Sequence, residues 1–227
     1  MRTWRILTVA LALGVAGGGG AGVANAEGIF SRLYAARPPV GSSFVRVVNP
    51  GGTPMRAQVA GGPAQTLAGE KVASTYAIVK GNDAFPIVID GKPAGTLQVA
   101  PDTFNTLVPR REGGKVTFTV LTDAGGTQDG LKAELRFYNL SANCAAGQLR
   151  VSPSGPMLFD GVAQGASVAR AINPVKATLV SACGSATTKT LALPALEPGD
   201  HYSLFLVGTD TAPVLRGQLS ATDTYQR

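Results

Sequence analysis

His201 is the chain's single histidine, and it follows Asp200 in a Pro-Gly-Asp-His turn that leads into a strand-like run. A serine hydrolase needs an imidazole base held from behind by a carboxylate, and a neighbour on the same turn is poorly placed to do this. The sequence also lacks a G-x-S-x-G elbow, a Walker loop and a dinucleotide fingerprint in a strand-to-helix setting. Asp83, Asp90, Asp102 and Glu112 lie beside Gly, Pro or Asn, where turn chemistry accounts for them, and no pair is singled out for glycoside hydrolysis. The residues therefore name no catalytic group and imply no cofactor.

The thiols lead to a different expectation. Cys144 and Cys183 are the only cysteines, and no CxxC or HxxxH spacing offers a metal site. In an oxidising compartment they are expected to form a disulfide closing a loop of about 40 residues, worth on the order of 2 to 4 kcal/mol. The one charged cluster, PRREGGK from Pro109 to Lys115, carries Arg110, Arg111 and Lys115 around Glu112. It reads as a loop tip entering a strand. Its cations fit either contact with an anionic polymer or acidic partner, or a solvated turn that discourages edge-to-edge association. Arg46 and Arg136 join this set of candidate contacts. With Tyr34, Tyr76 and Tyr138 they would make an outward aromatic and basic surface.

The elements that carry these residues alternate with period two. In FVRVV, Val45 and Val47 point one way while Phe44, Arg46 and Val48 point the other. PIVID ends in Asp90-Gly91, a hairpin signal, and other strand-like runs stop at Asn49-Pro50-Gly51-Gly52, Gly61-Gly62-Pro63, Gly113-Gly114 and Pro198-Gly199. No segment after the leader keeps a 3.6-residue apolar period for three turns. Many short strands at such spacing predict an all-β chain of antiparallel sandwiches.

The chain also repeats itself about ninety residues on. VRVVN from Val45 returns as LRFYN from Leu135, so that Leu135 and Phe137 match the inward pair and Arg136 matches an outward Arg46. TLQVAP from Thr96 is echoed by TLALP from Thr190, and TFTVLTD from Thr117 by SLFLVGTD from Ser203. The expectation is two tandem β-sandwich domains, 27–124 and 131–227, joined by a glycine-rich linker at 125–130.

The first 26 residues read as a signal peptide. Arg2 and Arg5 precede an apolar and glycine-rich stretch, and Ala24-Asn25-Ala26 has the small-residue pattern of a cleavage site. Removal leaves 18 basic residues against 14 acidic ones, a net charge of +4. That is too dilute for a nucleic-acid binder. A soluble periplasmic protein is expected.

Across essentially the whole mature part, the chain resembles the AlgF family of alginate O-acetylation proteins. The likeness runs from Leu33-Tyr34 through Pro38-Pro39 to GSSFVRVVN, then YAIVKG, PIVIDGK, LRFYNL, RAINPVK and SLFLVG, all in order. SANCAAGQ and the cysteine pair depart from it. The resemblance implies a non-catalytic adaptor with tandem sandwiches, required for O-acetylation of an exopolysaccharide. Its implied partners are periplasmic acetyltransferase subunits and a membrane acyltransferase. A module gripping the anionic polysaccharide is the alternative, and an acetyl relay through a covalent Ser or His is a third.

Overall fold

The computed structural model describes residues 38–123 and 129–225. The expected signal peptide, Tyr34 and most of the expected linker lie outside the described residues. Alternating apolar and polar runs form strands, and residues able to adopt positive φ close the turns between them. Asp90 and Gly91 sit at φ 52° and 75°, and Gly113 and Gly114 at 56° and 80°. Each pair makes a two-residue hairpin whose twist matches its flanking strands.

The first half contains β1 (Ser42–Val47), β2 (Met55–Val59), β3 (Gln65–Leu67), β4 (Ala77–Lys80), β5 (Phe85–Ile89), β6 (Lys92–Leu97), β7 (Phe104–Glu112) and β8 (Lys115–Thr122). The second contains β9 (Ala133–Asn139), β10 (Ala146–Val151), β11 (Met157–Ala163), β12 (Ala166–Ile172), β13 (Thr178–Cys183), β14 (Ala186–Thr187), β15 (Leu191–Ala192), β16 (His201–Gly208) and β17 (Pro213–Leu219). Sheet β4-β1-β7-β8 packs on sheet β3-β2-β5-β6, and sheet β12-β9-β16-β17 packs on β11-β10-β13-β14, with β15 also paired to β13. The strand order is the same in both halves. Pairing is antiparallel except at the centre of each first sheet, where β1 runs parallel to β7 and β9 to β16.

This order corrects one of the sequence echoes. SLFLVGTD lies on β16, whose counterpart by pairing is β7, whereas TFTVLTD lies on β8. The two segments share an apolar alternation that any strand over a core can carry. The VRVVN and LRFYN match stands, because β1 and β9 hold the same place.

Each half has its own core, and alternation selects its members. Val45, Val47, Ile87 and Leu107 fill the first; Leu135, Phe137, Leu149, Leu204 and Leu206 fill the second. Cys144 and Cys183 are bonded within that second core, as expected, tying the segment before β10 to the end of β13. A third apolar cluster draws from both halves: Val48, Val72, Ala73 and Val108 meet Tyr138, Leu140, Phe205 and Val207. The outward faces of β1 and β9 are thus closed against each other, and the described residues belong to one compact unit.

Candidate functional site

Arg46 sits at the centre of this seam. It extends from the face of β1 opposite the first core and is 1% exposed. The outward reading of Arg46 and Arg136 is therefore corrected. Both side chains leave their own cores as alternation requires, but both are buried because the two sandwiches close on each other along these faces.

A buried guanidinium is tolerated only if its donors and charge are met. Arg46 Nε donates to Thr106 Oγ1 at 3.0 Å, and Nη1 donates to Ser220 Oγ at 3.2 Å. Its Nη2 donates to the Tyr138 hydroxyl at 2.7 Å and to Ser203 Oγ at 2.9 Å. Its planar head lies 4.5 Å from the centre of the Tyr76 ring and 5.3 Å from those of Tyr138 and Phe205. The hydroxyls pass the interaction on to Asp123, which accepts from Tyr138 at 2.7 Å, Tyr76 at 2.8 Å and Thr106 at 2.9 Å. Burial works to lower the pKa of Arg46, but Tyr138, Tyr76 and Asp123 outweigh it and the net shift is upward. Burial pushes the Tyr138 phenol up to about 12, against the pull of Arg46, and raises that of Tyr76 as well. All three groups hold their charge state near neutrality.

The repeat has diverged at the matching positions. Register places Phe104 beside Phe44 in the first half and His201 beside Glu134 in the second. The first pair stacks at 4.4 Å between ring centres. The second is ionic: Arg136 Nη2 lies 3.0 Å from Glu134 Oε1, and His201 Nδ1 lies 3.6 Å from the same oxygen. The hydrogen bond to Glu134 raises the pKa of the half-exposed His201. Phe104, Glu134, Arg136 and His201 line a cleft of about 490 Å³ whose wall includes Tyr76 and Asp123. Ser203 and Ser220 also face it, with their hydroxyls engaged by Arg46 and by each other. Among the described residues no group of three His, Cys, Asp or Glu side chains has a metal-binding arrangement.

The other candidate contacts lie elsewhere. Arg110, Arg111 and Lys115 occupy the exposed tip of the β7–β8 hairpin. Arg111 reaches across to Asp90 at 2.7 Å, while Lys115 stands opposite Glu112 in the ladder. The structure therefore does not gather the five cations into one surface. It does gather Arg46, Tyr76 and Tyr138, which the sequence had grouped, and adds Thr106, Asp123, Ser203 and Ser220. Asp123 carried no signal beyond its place just before the linker.

Two sandwiches of one topology, sealed by a buried arginine and bearing a mixed-charge cleft at their seam, define a tandem β-sandwich protein. A family model described as alginate O-acetyl transferase AlgF matches residues 10–203. The chain belongs to the AlgF family, whose setting is alginate O-acetylation. It is 28% identical over 185 residues to the alginate biosynthesis protein AlgF of Pseudomonas putida strain KT2440, covering 82% of each chain. Among solved structures, a family CBM26 module of Eubacterium rectale Amy13K in complex with maltoheptaose aligns over 82% of this chain and all of its own. Identity is 9% and the TM-score 0.29, too slight a likeness to carry an argument.

Proposed function

We propose that this protein is a non-catalytic periplasmic adaptor for O-acetylation of an exopolysaccharide, alginate by its family, and that it bridges acetyltransferase subunits. The observation that carries the reading is the Arg46-centred seam. It fastens two related but non-identical sandwiches into one body, and so presents two different surfaces at a set separation. Bridging raises the effective concentration of one partner for another to roughly millimolar without any chemistry by the bridge. The state of the hydroxyls supports the same reading. Ser203 and Ser220 are held by Arg46 and His201 by Glu134, which is a packing arrangement rather than a nucleophile with its base. A leader ending at Ala26 would deliver the chain to the compartment where its disulfide forms.

The test is a pull-down from the native envelope fraction, paired with deletion of the gene. Co-purification of acetylation subunits, with loss of polymer acetylation in the deletion strain, is the expected result. Intact acetylation after deletion, or the absence of every acetylation subunit from the pull-down, would overturn it. Mass spectrometry after incubation with an activated acetyl donor separates the relay alternative, since an acetylated Ser or His is required there and none is expected here.

A further inference from the structure

The two sheets of the first sandwich end together in a band of cations. The β5–β6 turn meets the β7–β8 tip through Arg111 Nη2 and Asp90 Oδ2 at 2.7 Å. Asp90 Oδ1 also accepts the Arg56 N–H at 2.9 Å, which brings the start of β2 to the same end. The Arg56 N–H and Arg111, with the charge of Lys92, hold the Asp90 carboxyl below its usual range. Alternation spreads the cations across the end of the sandwich. Arg110 projects from the outer face of one sheet and Arg56 from the outer face of the other, with Arg111 and Lys92 between them. All four are exposed, as is Lys115.

These five cations share the end with two carboxylates, Asp90 and Glu112, a local charge of +3 out of the +4 carried from Glu27 onward. Among the described residues no carboxylate lies within ion-pair distance of Arg56, Lys92 or Arg110. Asp123, where the described first half stops, bonds to Phe104 at the far end of β7, about 27 Å from Glu112.

We infer that this end of the first sandwich binds a chain of carboxylate-bearing sugars, which crosses from one sheet to the other and meets Arg56, Lys92 and Arg110 with successive carboxylates. The inference takes from the adaptor reading only the anionic polysaccharide on which the machinery works. Packed sheets stand about 10 Å apart, so one small anion cannot touch both outer faces, whereas a polymer with a charge on every unit can. Arginine forks suit carboxylates, and concentrated charge of one sign attracts a polyanion. The turns themselves, Asp90-Gly91 and Gly113-Gly114, carry no aromatic or large aliphatic side chain to insert into a lipid surface, which favours a soluble polymer over a membrane.

Titration with unacetylated oligouronates cut from alginate, at about 50 and about 300 mM salt, tests it. The wild type is expected to bind, and more weakly at the higher salt. Arg56→Ala, Lys92→Ala and Arg110→Ala combined are expected to weaken binding about tenfold at the lower salt and to flatten its salt dependence, as loss of three exposed charge contacts implies. Arg150→Ala, Lys176→Ala and Lys189→Ala combined remove the same charge from exposed positions of the second half and are expected to bind as the wild type does. No binding by the wild type at the lower salt, or undiminished binding by the first triple variant, overturns the inference. Equal loss in both triple variants overturns it in favour of net charge alone. Capture by phosphatidylserine vesicles rather than by oligouronates overturns it in favour of a membrane surface. Each of these results leaves the adaptor reading to the pull-down, and oligouronate binding by a chain that captures no acetylation subunit would sink that reading while this inference stood.

Discussion

At the scale of single residues, one arginine does two jobs: its charge is met through hydroxyls and rings, and its fork spans both halves of the molecule. Removing it leaves the acceptors on Thr106, Tyr138 and Ser203 short of a donor inside the seam. Arg46→Ala is expected to cost about 3 to 5 kcal/mol in urea denaturation, the range for deleting one partner of a buried charged network. Arg46→Lys is expected to recover only part of this, because an ammonium cannot reproduce the planar five-donor fork. His201 gives a pH-dependent prediction. Its folded pKa is raised by Glu134, so its stabilising contribution is complete below the ordinary histidine value of about 6.5 and fades as pH rises through the raised one. Thermal midpoints of the wild type and His201→Ala, compared from acid to mildly basic pH, should differ most at the acid end and converge on the basic side. A gap that widens with pH would refute this account.

At the scale of elements, the same strand position has acquired different roles in the two halves. β1 carries Phe44 two residues before its arginine, and β9 carries Glu134 there. The glutamate keeps Arg136 as a local ion pair at the cleft, whereas Arg46, with no such partner on its own strand, crosses the seam. The disulfide is also confined to one half, where it closes the loop between the segment before β10 and β13. Cys144→Ser with Cys183→Ser should lower stability by about 2 to 4 kcal/mol, measured by denaturant midpoint against the oxidised wild type. The β7–β8 hairpin is a contrasting case. Its Arg111 and Asp90 pair is solvent-exposed, so Arg111→Ala is expected to change stability by less than about 1 kcal/mol.

At the scale of the whole molecule, the shared apolar cluster and the strapped tail predict cooperation between the halves. Gln218 exchanges two hydrogen bonds with the backbone of Ala73, and Asp223 pairs with the backbone of Tyr76, so the last strand and tail hold the first sandwich directly. Calorimetry of the wild type is expected to show one transition. In Arg46→Ala it should resolve into two, with the disulfide-bearing second half melting later. A single transition in that variant would show that the apolar cluster and the strapped tail couple the halves without Arg46. Much of this architecture was legible in advance. Period-two alternation named the inward residues of β1 and β9, turn residues placed the hairpins, and the cysteine count paired Cys144 with Cys183. The repeat announced two related units, and the family likeness ran along most of the chain. Alternation settles which side of a strand a residue occupies, because the pleat is local. What covers that side is set by a second body packing against it, and that depends on contacts far apart in sequence. Arg46 and Arg136 therefore looked equivalent and exposed, and only the tertiary structure buried both, made one the centre of the seam and placed the other at its cleft.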